Sequence, residues 1–389
     1  MTVTEVAIKG YRSVRRLRLP LRQLTVLIGG NGAGKTNLYR SLELLHAAAR
    51  GTIADEIARE GGLASIFWAG GRNLTDDGRF DPMHRTDGYR AHEGGNRLEL
   101  SVRLEIDEIA AEYALSLGFP QKAVSPAFPH EAQIKTESLE LIGRRRTELL
   151  TRDRAGIWMR DAEGRRELLA EGALASETAL SSVGSGRPEI SLIRQELANW
   201  RFFHAFRSDL DSPLRRPGRA VTAPMLASDG SNLAAVLATL RHIRQDSVDL
   251  DEMIAAAFPG ARLEVPLPAE HASFGMVFPE TPKRVFAAHE LSDGTLQFIA
   301  LMGALLSYRL PPFIALNEPE ASLHPDLLPT LAQAIARAAE RSQVWVVTHS
   351  RPLADAIEAL SGAVPREVIR TEDGTKLAGM TSLGVFEDE

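Results

Sequence analysis

The sequence predicts an α/β protein in which helices flank a mostly parallel sheet, with an antiparallel β lobe and a helical lobe in addition. Short apolar stretches such as Leu24–Ile28, Phe313–Leu316 and Gln343–Val347 alternate with segments of helical period, which favours parallel strands covered on both faces. In contrast, Arg97–Ile106 alternates apolar and polar residues, as half-buried antiparallel strands do. A chain of 389 residues is long enough for more than one domain.

The N-terminal part is predicted to contain two strands and one helix. The strands are Val3–Ile8 and Leu24–Ile28, with an arginine-rich segment between them. A helix is expected from Lys35 to about Ala49, because leucines recur on one face with helical spacing. The glycine-rich stretch 61–72 predicts a loop.

The middle of the chain predicts hairpins followed by helices. A strand–turn–strand pattern runs from Glu137 to Leu169, with a tight turn at 161–164, and the small polar residues of 171–186 indicate a connector. Helices are predicted at 189–200, 232–244 and 248–257, and strands at 261–265 and 274–277.

The last third predicts a regular alternation of strands and helices. The segment Glu290–Ser307 has the pattern of a turn followed by a helix. Further helices are expected at 326–341 and 352–360, and a terminal hairpin at Arg366–Leu377 with its turn at Asp373-Gly374.

Composition excludes several classes of function. The chain has no cysteine, so it has no disulfide, no thiol nucleophile and no iron–sulfur cluster. The net charge is -6, which disfavours non-specific attraction of the whole molecule to nucleic acid. Polar residues and prolines interrupt the most apolar region, Leu296–Leu316, and the N-terminus lacks an apolar signal core. We therefore expect a cytoplasmic protein without a membrane segment.

The most specific motif is Gly29–Thr36 (GGNGAGKT), which fits G-x-x-x-x-G-K-[ST]. It stands after an apolar strand and before an amphipathic helix, which is the context that this phosphate-binding motif requires. Glycines let backbone N–H groups point inward at a helix N-terminus and form an anion site. Lys35 is expected to reach the β- and γ-phosphates, and the Thr36 hydroxyl to bind Mg²⁺.

A second motif ends the apolar stretch Phe313–Leu316 with Asn317, Glu318 and Pro319. The pattern is that of a Walker B strand, whose first polar residue belongs to the Mg²⁺ shell and whose glutamate polarises the attacking water. Asn317 stands where an aspartate is usual, so it brings an amide oxygen but no negative charge. The function of catalytic base is assigned to Glu318.

Two shorter motifs complete the set. Leu291–Thr295 (LSDGT) precedes a predicted helix, and its serine and glycine suit a phosphate clamp at a helix start. His349 follows a predicted strand, where an imidazole can hydrogen-bond a γ-phosphate oxygen or the attacking water. His324 lies in a loop soon after Glu318 and is expected either at a subunit contact or in solvent.

In this order, the segments IGGNGAGKTNL, LSDGT, ALNEPEASLHPDLLP and VVTHS resemble those of the ABC-type ATPase group that includes RecF, SMC heads and OLD-like predicted ATPases. The nearest resemblance is to stand-alone bacterial AAA-like predicted ATPases. It implies a P-loop NTPase fold of the ABC/RecF-head type, with a discontinuous ATPase head at 1–110 and 259–389 and an inserted β-rich and helical lobe at 111–258. The motifs lie in residues 1–45 and 288–360.

The resemblance also implies a Mg²⁺-dependent ATPase that binds ATP between two copies arranged head to tail. Three residues are implied to be catalytic: Lys35, Glu318 and His349. Thr36 and Asn317 are implied to hold Mg²⁺. The nucleotide contacts implied are Gly29, Asn31, Gly32, Ala33, Gly34, Lys35, Thr36 and Asn37 from one copy, with Ser292 and Gly294 from the other.

The chain departs from that group in three respects. It has no long coiled coil, and only 40 residues follow His349, which is too few for a C-terminal nuclease domain. Asp293 stands where a glycine is common and brings a like charge toward the γ-phosphate. Glu137 and Gln195 are the candidates for a Q-loop residue.

Three functions fit these features. The first is an ATPase that acts on DNA or on a DNA-directed protein in repair or in defence against mobile elements. The second is the energy-coupling subunit of a transporter, which the large middle of the chain disfavours. The third is a slow-hydrolysing, nucleotide-dependent scaffold that sequesters or releases an effector protein. Basic clusters that suit DNA contact are Arg144–Arg146 with Arg152 and Arg154, and Arg215 and Arg216 with Arg219.

Overall fold

A computed structural model describes most of the chain. The described residues are 1–68, 97–120, 128, 131–161, 163–183, 187–244, 247–381 and 384–386.

The described residues form nineteen strands and ten α-helices, which are numbered here in chain order. The strands are β1 (Thr2–Tyr11), β2 (Val14–Pro20), β3 (Leu24–Ile28), β4 (Leu98–Ile106), β5 (Ile109–Gly118), β6 (Gln133–Ile142), β7 (Arg146–Asp153), β8 (Gly156–Arg160), β9 (Arg166–Glu171), β10 (Arg201–Phe203), β11 (Gly218–Arg219), β12 (Arg262–Glu264), β13 (His271–Ala272), β14 (Gly275–Val277), β15 (Phe286–Ala287), β16 (Phe313–Asn317), β17 (Gln343–Thr348), β18 (Arg366–Thr371) and β19 (Gly374–Leu377). The helices are α1 (Lys35–Arg50), α2 (Ile53–Arg59), α3 (Leu63–Ile66), α4 (Ala179–Ser182), α5 (Pro188–Ala198), α6 (Leu233–Ala238), α7 (Val248–Ala257), α8 (Asp293–Leu306), α9 (Leu328–Ala339) and α10 (Arg351–Ser361).

The chain forms two compact units, and both are discontinuous in sequence. Unit 1 consists of Met1–Arg22, Gly29–Asn199 and Glu367–Glu389, and unit 2 of Gln23–Ile28 and Trp200–Arg366. The division into an ATPase head and an inserted lobe at 111–258 concerns function rather than compactness, and it stays a prediction.

The main sheet of unit 1 is antiparallel. Its eight strands have the order β2-β1-β4-β5-β6-β7-β8-β9. The arginine-rich segment after Val3–Ile8 is strand β2, which the sequence interpretation missed. Val14, Leu17 and Leu19 of β2 are buried while the arginines between them are exposed, so only Leu17 and Leu19 keep the two-residue spacing of a half-buried strand.

Helix α1 belongs to unit 1 and confirms the predicted amphipathic pattern. Leu38, Leu42 and Leu45 are fully buried, and the helix ends at Gly51, which is left-handed with φ 76° and caps the last carbonyls. The expected loop at 61–72 contains the short helix α3, and residues 69–72 lie outside the described residues. The predicted connector 171–186 likewise contains α4, while 184–186 are not described.

Unit 2 contains the predicted parallel strands, in the order β10-β16-β17-β3. These strands are almost continuously apolar and buried, as parallel strands covered on both faces are. Helix α8 is buried on all sides from Thr295 to Leu306, and α9 packs against α8 and α10. The carboxyl ends of β16 and β17 therefore lie together at one edge, since Asn317 pairs with Val347.

Two helix predictions in the middle of the chain were too long. The helix predicted at 189–200 ends at Ala198, and Trp200 instead packs on Phe313 with ring centroids 4.8 Å apart. The helix predicted at 232–244 is α-helical only to Ala238 and continues as a π-helix over Thr239–Arg244. Packing against distant segments sets the C-terminal ends of both helices, and the periodicity of the local sequence carries no information about that packing. In the described part of the chain, no helix combines the length and the apolar composition that crossing a bilayer requires.

Candidate nucleotide-binding site

The glycine-rich motif of unit 1 forms a tight loop at the start of α1. Gly32 and Gly34 have φ values of 79° and 104°, which only glycine adopts readily. The amide of Asn37 donates to the Gly34 carbonyl at 3.0 Å, and this bond begins the helix. The loop thus places the N-terminus of a 16-residue helix, with its N–H groups and positive dipole end, directly behind Gly32 and Gly34.

Lys35 folds back over this loop. Its Nζ donates to the carbonyls of Gly29 at 2.5 Å and Gly30 at 3.0 Å, and the residue is 4% exposed. Asn31, Gly32 and Thr36 are exposed around the same loop. A buried ammonium beside exposed N–H groups is an arrangement that binds a polyphosphate.

A small polar cluster of unit 1 holds the loop from behind. The Thr375 hydroxyl donates to the Ala33 carbonyl at 3.0 Å and lies 2.7 Å from Ser13 Oγ. The side-chain amide Nδ2 of Asn37 donates to the same Ser13 Oγ at 2.6 Å. Asn37 therefore uses its side chain inside the protein. We call Ser13, Asn37 and Thr375 the loop-support cluster; no sequence motif pointed to Ser13 or Thr375.

The close fit of this cluster explains why the loop needs glycine at particular positions. A Cβ at Gly34 would lie 2.0 Å from Thr375 Oγ1 and 2.7 Å from Ser13 Oγ. A Cβ at Gly29 would lie 2.5 Å from the Val368 carbonyl oxygen. In contrast, a Cβ at Gly32 would meet nothing within 4 Å.

In unit 2, Asn317 and Glu318 end strand β16. Asn317 Oδ1 is buried and has no hydrogen-bond partner among the described residues, while its Nδ2 lies 3.5 Å from His204 Nδ1. Glu318 is in the left-handed region with φ 51°, and its amide donates to the Val347 carbonyl at 2.7 Å. A non-glycine residue with such a φ is costly and occurs preferentially at functional sites.

Glu320, to which no motif assigned a role, lies beside His349 in unit 2. The Glu320 side chain is 6% exposed and its Oε1 lies 3.3 Å from His349 Nδ1. The same oxygen accepts from Thr348 Oγ1 at 2.5 Å and from the amides of His349 and Ser350 at 3.0 and 3.1 Å. Glu320 thus connects the turn after β16 to the turn after β17.

The LSDGT motif forms the start of α8, as predicted, and Ser292 is exposed. Its hydroxyl accepts from the Thr295 amide at 3.2 Å, which is an ordinary N-cap. The carboxylate of Asp293 accepts from Arg215 at 2.6 Å, and Arg215 also donates to the carbonyls of Ser208, His289 and Leu291. Arg215 therefore neutralises the charge that Asp293 brings to this motif.

Several residues of the predicted basic clusters form hydrogen bonds and ion pairs within the protein. Arg152 is buried and donates to the carbonyls of Leu174 and Arg154. Arg146 pairs with Glu112 at 3.0 Å and with Glu140 at 3.1 Å. With Arg215 committed to the α8 start, the basic clusters give less support to DNA contact than the sequence suggested.

The remaining candidates have local roles. Glu137 is buried, and it accepts from Tyr113 Oη and from the amides of Ala179 and Leu180 at the start of α4. Burial raises the pKa of the Glu137 carboxyl. His324 is exposed and caps a short 3₁₀ helix by accepting from the Asp326 amide at 3.3 Å.

The oxygen donors present suit Mg²⁺. Thr36 offers an exposed hydroxyl, and Asn317 offers a buried amide oxygen that no group of the described residues satisfies. Within the described residues, no group of three His, Asp or Glu side chains could enclose a metal ion. Mg²⁺ usually keeps several of its waters and takes one or two protein ligands plus phosphate oxygens, and a hydroxyl or an amide oxygen is a donor of the kind that it accepts.

The lysine loop of unit 1 is that of a P-loop ATPase. The chain belongs to the family described as "AAA domain, putative AbiEii toxin, Type IV TA system", whose model matches residues 24–356. No curated protein sequence matches the chain. The expected resemblance to ABC-type ATPases is thereby confirmed at the level of family and fold.

Solved structures of SMC head domains show the same fold. An SMC head bound to the C-terminal winged-helix domain of ScpA is 15% identical, with a TM-score of 0.56, over 98% of this chain and 99% of that chain. An SMC head domain with an extended coiled coil, bound to the C-terminal domain of ScpA, from Pyrococcus furiosus, is 13% identical, with a TM-score of 0.50, over 97% of this chain and 95% of that chain.

Proposed function

We propose that the chain binds and hydrolyses ATP, and that two copies close head to tail around the nucleotide. The observation that carries the proposal is the lysine loop. Lys35 is nearly inaccessible to solvent and its ammonium lies at the loop carbonyls, while the loop itself is exposed. Such a loop binds a triphosphate through its N–H groups and the ammonium.

In this proposal each polar residue has one task. Lys35 and the loop N–H groups bind the β- and γ-phosphates, and Thr36 and Asn317 hold the Mg²⁺ shell. Glu318 orients the attacking water and accepts its proton. Mg²⁺, when bound, supplies neutralisation of the phosphate charge.

Head-to-tail closure is supported by the start of α8. Ser292 is exposed and able to meet a second copy, and a helix N-terminus attracts phosphate. Asp293 would repel the γ-phosphate, but its ion pair with Arg215 reduces that repulsion. Ser292 and Gly294 of one copy would thus complete the site on the other.

We place this ATPase in DNA repair or in defence against mobile elements, with DNA or a DNA-directed protein as its partner. The family description, which names a type IV toxin–antitoxin system, favours defence. The SMC heads of similar fold are bound to a partner protein. That observation also favours the second candidate, a slow-hydrolysing scaffold that holds an effector protein, because Asn317 lacks the charge of an aspartate.

Two substitutions test the proposal. We expect Lys35→Ala to abolish ATP binding, because it removes the cation of the loop, while Lys9→Ala on strand β1 leaves binding unchanged. We expect Glu318→Gln to bind ATP and to accumulate as a dimer, with Glu340→Gln as the matched control at the end of α9. Equilibrium binding and mass determination in solution, each with and without ATP, measure these outcomes.

Hydrolysis rates separate the two candidates. Turnover that DNA stimulates supports the repair or defence ATPase, and tight binding with negligible turnover supports the scaffold. The proposal is wrong if Lys35→Ala binds ATP as the unmodified protein does, or if Glu318→Gln hydrolyses ATP at the unmodified rate.

A further inference from the structure

We propose that Glu320 is a positioning residue that fixes His349 with its proton on Nδ1, so that Nε2 accepts a hydrogen bond from the attacking water. This inference rests on the proposed ATP hydrolysis. It adds Glu320 to the proposed site and specifies that the attacking water donates a hydrogen bond to His349. All of its contacts lie within unit 2.

Three hydrogen-bond donors converge on one carboxylate oxygen of Glu320. Glu320 Oε1 accepts from the hydroxyl of Thr348 and from the amides of His349 and Ser350. These bonds hold the turn between β17 and α10 at the start of an 11-residue helix, where a carboxylate is electrostatically favoured. All three bonds use this oxygen as an acceptor, so in its contact with the imidazole the proton belongs on the ring nitrogen.

The second argument is the placement of the ring. Nδ1 of His349 lies 3.3 Å from Glu320 Oε1, and the side chain is 49% exposed. Because the oxygen is an acceptor, the contact favours a proton on Nδ1. A neutral imidazole protonated on one nitrogen accepts at the other. Nε2 therefore accepts a hydrogen bond, which a water can donate and a phosphate oxygen cannot.

The third argument concerns the other oxygen of the same group. Glu320 Oε2 is buried and has no hydrogen-bond partner in the part of the chain described. Leaving a buried acceptor unsatisfied is destabilising, and such atoms call for an explanation other than stability. An apolar side chain at this position would avoid that cost, so the carboxylate fits a task in positioning.

The direct test is the protonation of His349 in the unmodified protein. Nitrogen NMR of protein labelled at its histidines, with the His349 signal assigned by His349→Asn, is expected to show the proton on Nδ1. This measurement needs neither nucleotide nor turnover. A proton on Nε2 overturns the proposal, whatever the variants show.

Three variants separate positioning from mere stabilisation. Glu320→Met removes the acceptor, and we expect it to lose the Nδ1-protonated signal and to lower kcat roughly tenfold or more without changing KM for ATP. Glu320→Gln keeps an acceptor oxygen and is expected to retain the signal and most of kcat. Thr348→Val removes another donor to the same oxygen, and should lower Tm while the His349 signal stays.

The outcomes distinguish this inference from the proposed function. If Glu320→Met lowers Tm but leaves both the signal and kcat unchanged, Glu320 only stabilises the turns. If Glu320→Met does not fold, retention of the signal in Glu320→Gln supports the proposal and its loss in Thr348→Val contradicts it. If the unmodified protein hydrolyses no ATP, the proposed hydrolysis fails while the NMR measurement still decides the contact.

Discussion

Substitution of Gly34 by alanine should damage the nucleotide loop far more than the same change at Gly32. Both glycines are in the left-handed region, where a Cβ costs about 1–2 kcal/mol. At Gly34 the Cβ would also displace Thr375 Oγ1, which lies 2.0 Å away and is hydrogen-bonded to Ala33 and Ser13. Losing two hydrogen bonds adds about 1–3 kcal/mol, whereas the Cβ at Gly32 meets open space.

The expected difference is measurable by thermal unfolding without nucleotide. For units of 150–250 residues, 1 kcal/mol corresponds to roughly 2–4 °C in Tm. The Tm of Gly34→Ala should therefore lie about 2–12 °C below that of Gly32→Ala. Equal Tm values for the two variants would refute the reasoning.

A double substitution tests the cause of that difference. Thr375→Ala removes the hydroxyl that the new Cβ meets, so adding Gly34→Ala to it should lower Tm less than Gly34→Ala does alone. Residues in contact show such non-additivity, whereas distant ones do not. Strict additivity would mean that the loop-support cluster does not carry the effect.

Two further predictions concern the start of α8. Arg215→Met should lower the stability of unit 2 by about 2–4 kcal/mol, because three carbonyls and Asp293 lose a charged donor. Arg216 is exposed and, among the described residues, forms an ion pair only with the exposed Asp211, so Arg216→Met should change the stability by about 0.5 kcal/mol or less. Equal urea midpoints for the two variants would contradict this. Gly294→Ala places a Cβ 3.0 Å from the Ser322 carbonyl oxygen but gains helix propensity, so Tm should change little. ATP-dependent pairing of two copies should nevertheless be lost, as mass determination in solution would show. If the variant pairs at the same ATP concentrations as the unmodified protein, Gly294 is not part of the proposed clamp.

The sequence was most informative where motif and local pattern agreed. The loop Gly29–Thr36, the helix start at Ser292 and the strand ends at Asn317 and Thr348 lie where the motifs place them. Each of these segments is short and its residue types are dictated by backbone geometry at a strand end or a helix start.

What sequence analysis missed depends on contacts between distant segments. Thr375 lies 342 residues from Ala33 along the chain, yet it is bonded to its carbonyl. Arg215 is 78 residues from Asp293, and it was assigned to a basic cluster because its neighbours are arginines. Glu320 lies within the segment ALNEPEASLHPDLLP, but nothing in the linear pattern shows that it is buried against His349. Pairings of this kind follow from topology, which a single sequence specifies only indirectly.

The loop-support cluster has a consequence for the order of events during synthesis. Residues 29–36 emerge from the ribosome well before Thr375, which braces the Ala33 carbonyl and lies 342 residues after it. A nascent or prematurely ended chain would therefore carry the lysine loop without its brace. A braced loop would arise only after strand β19 has been added, so the loop and its support form at widely separated times during synthesis.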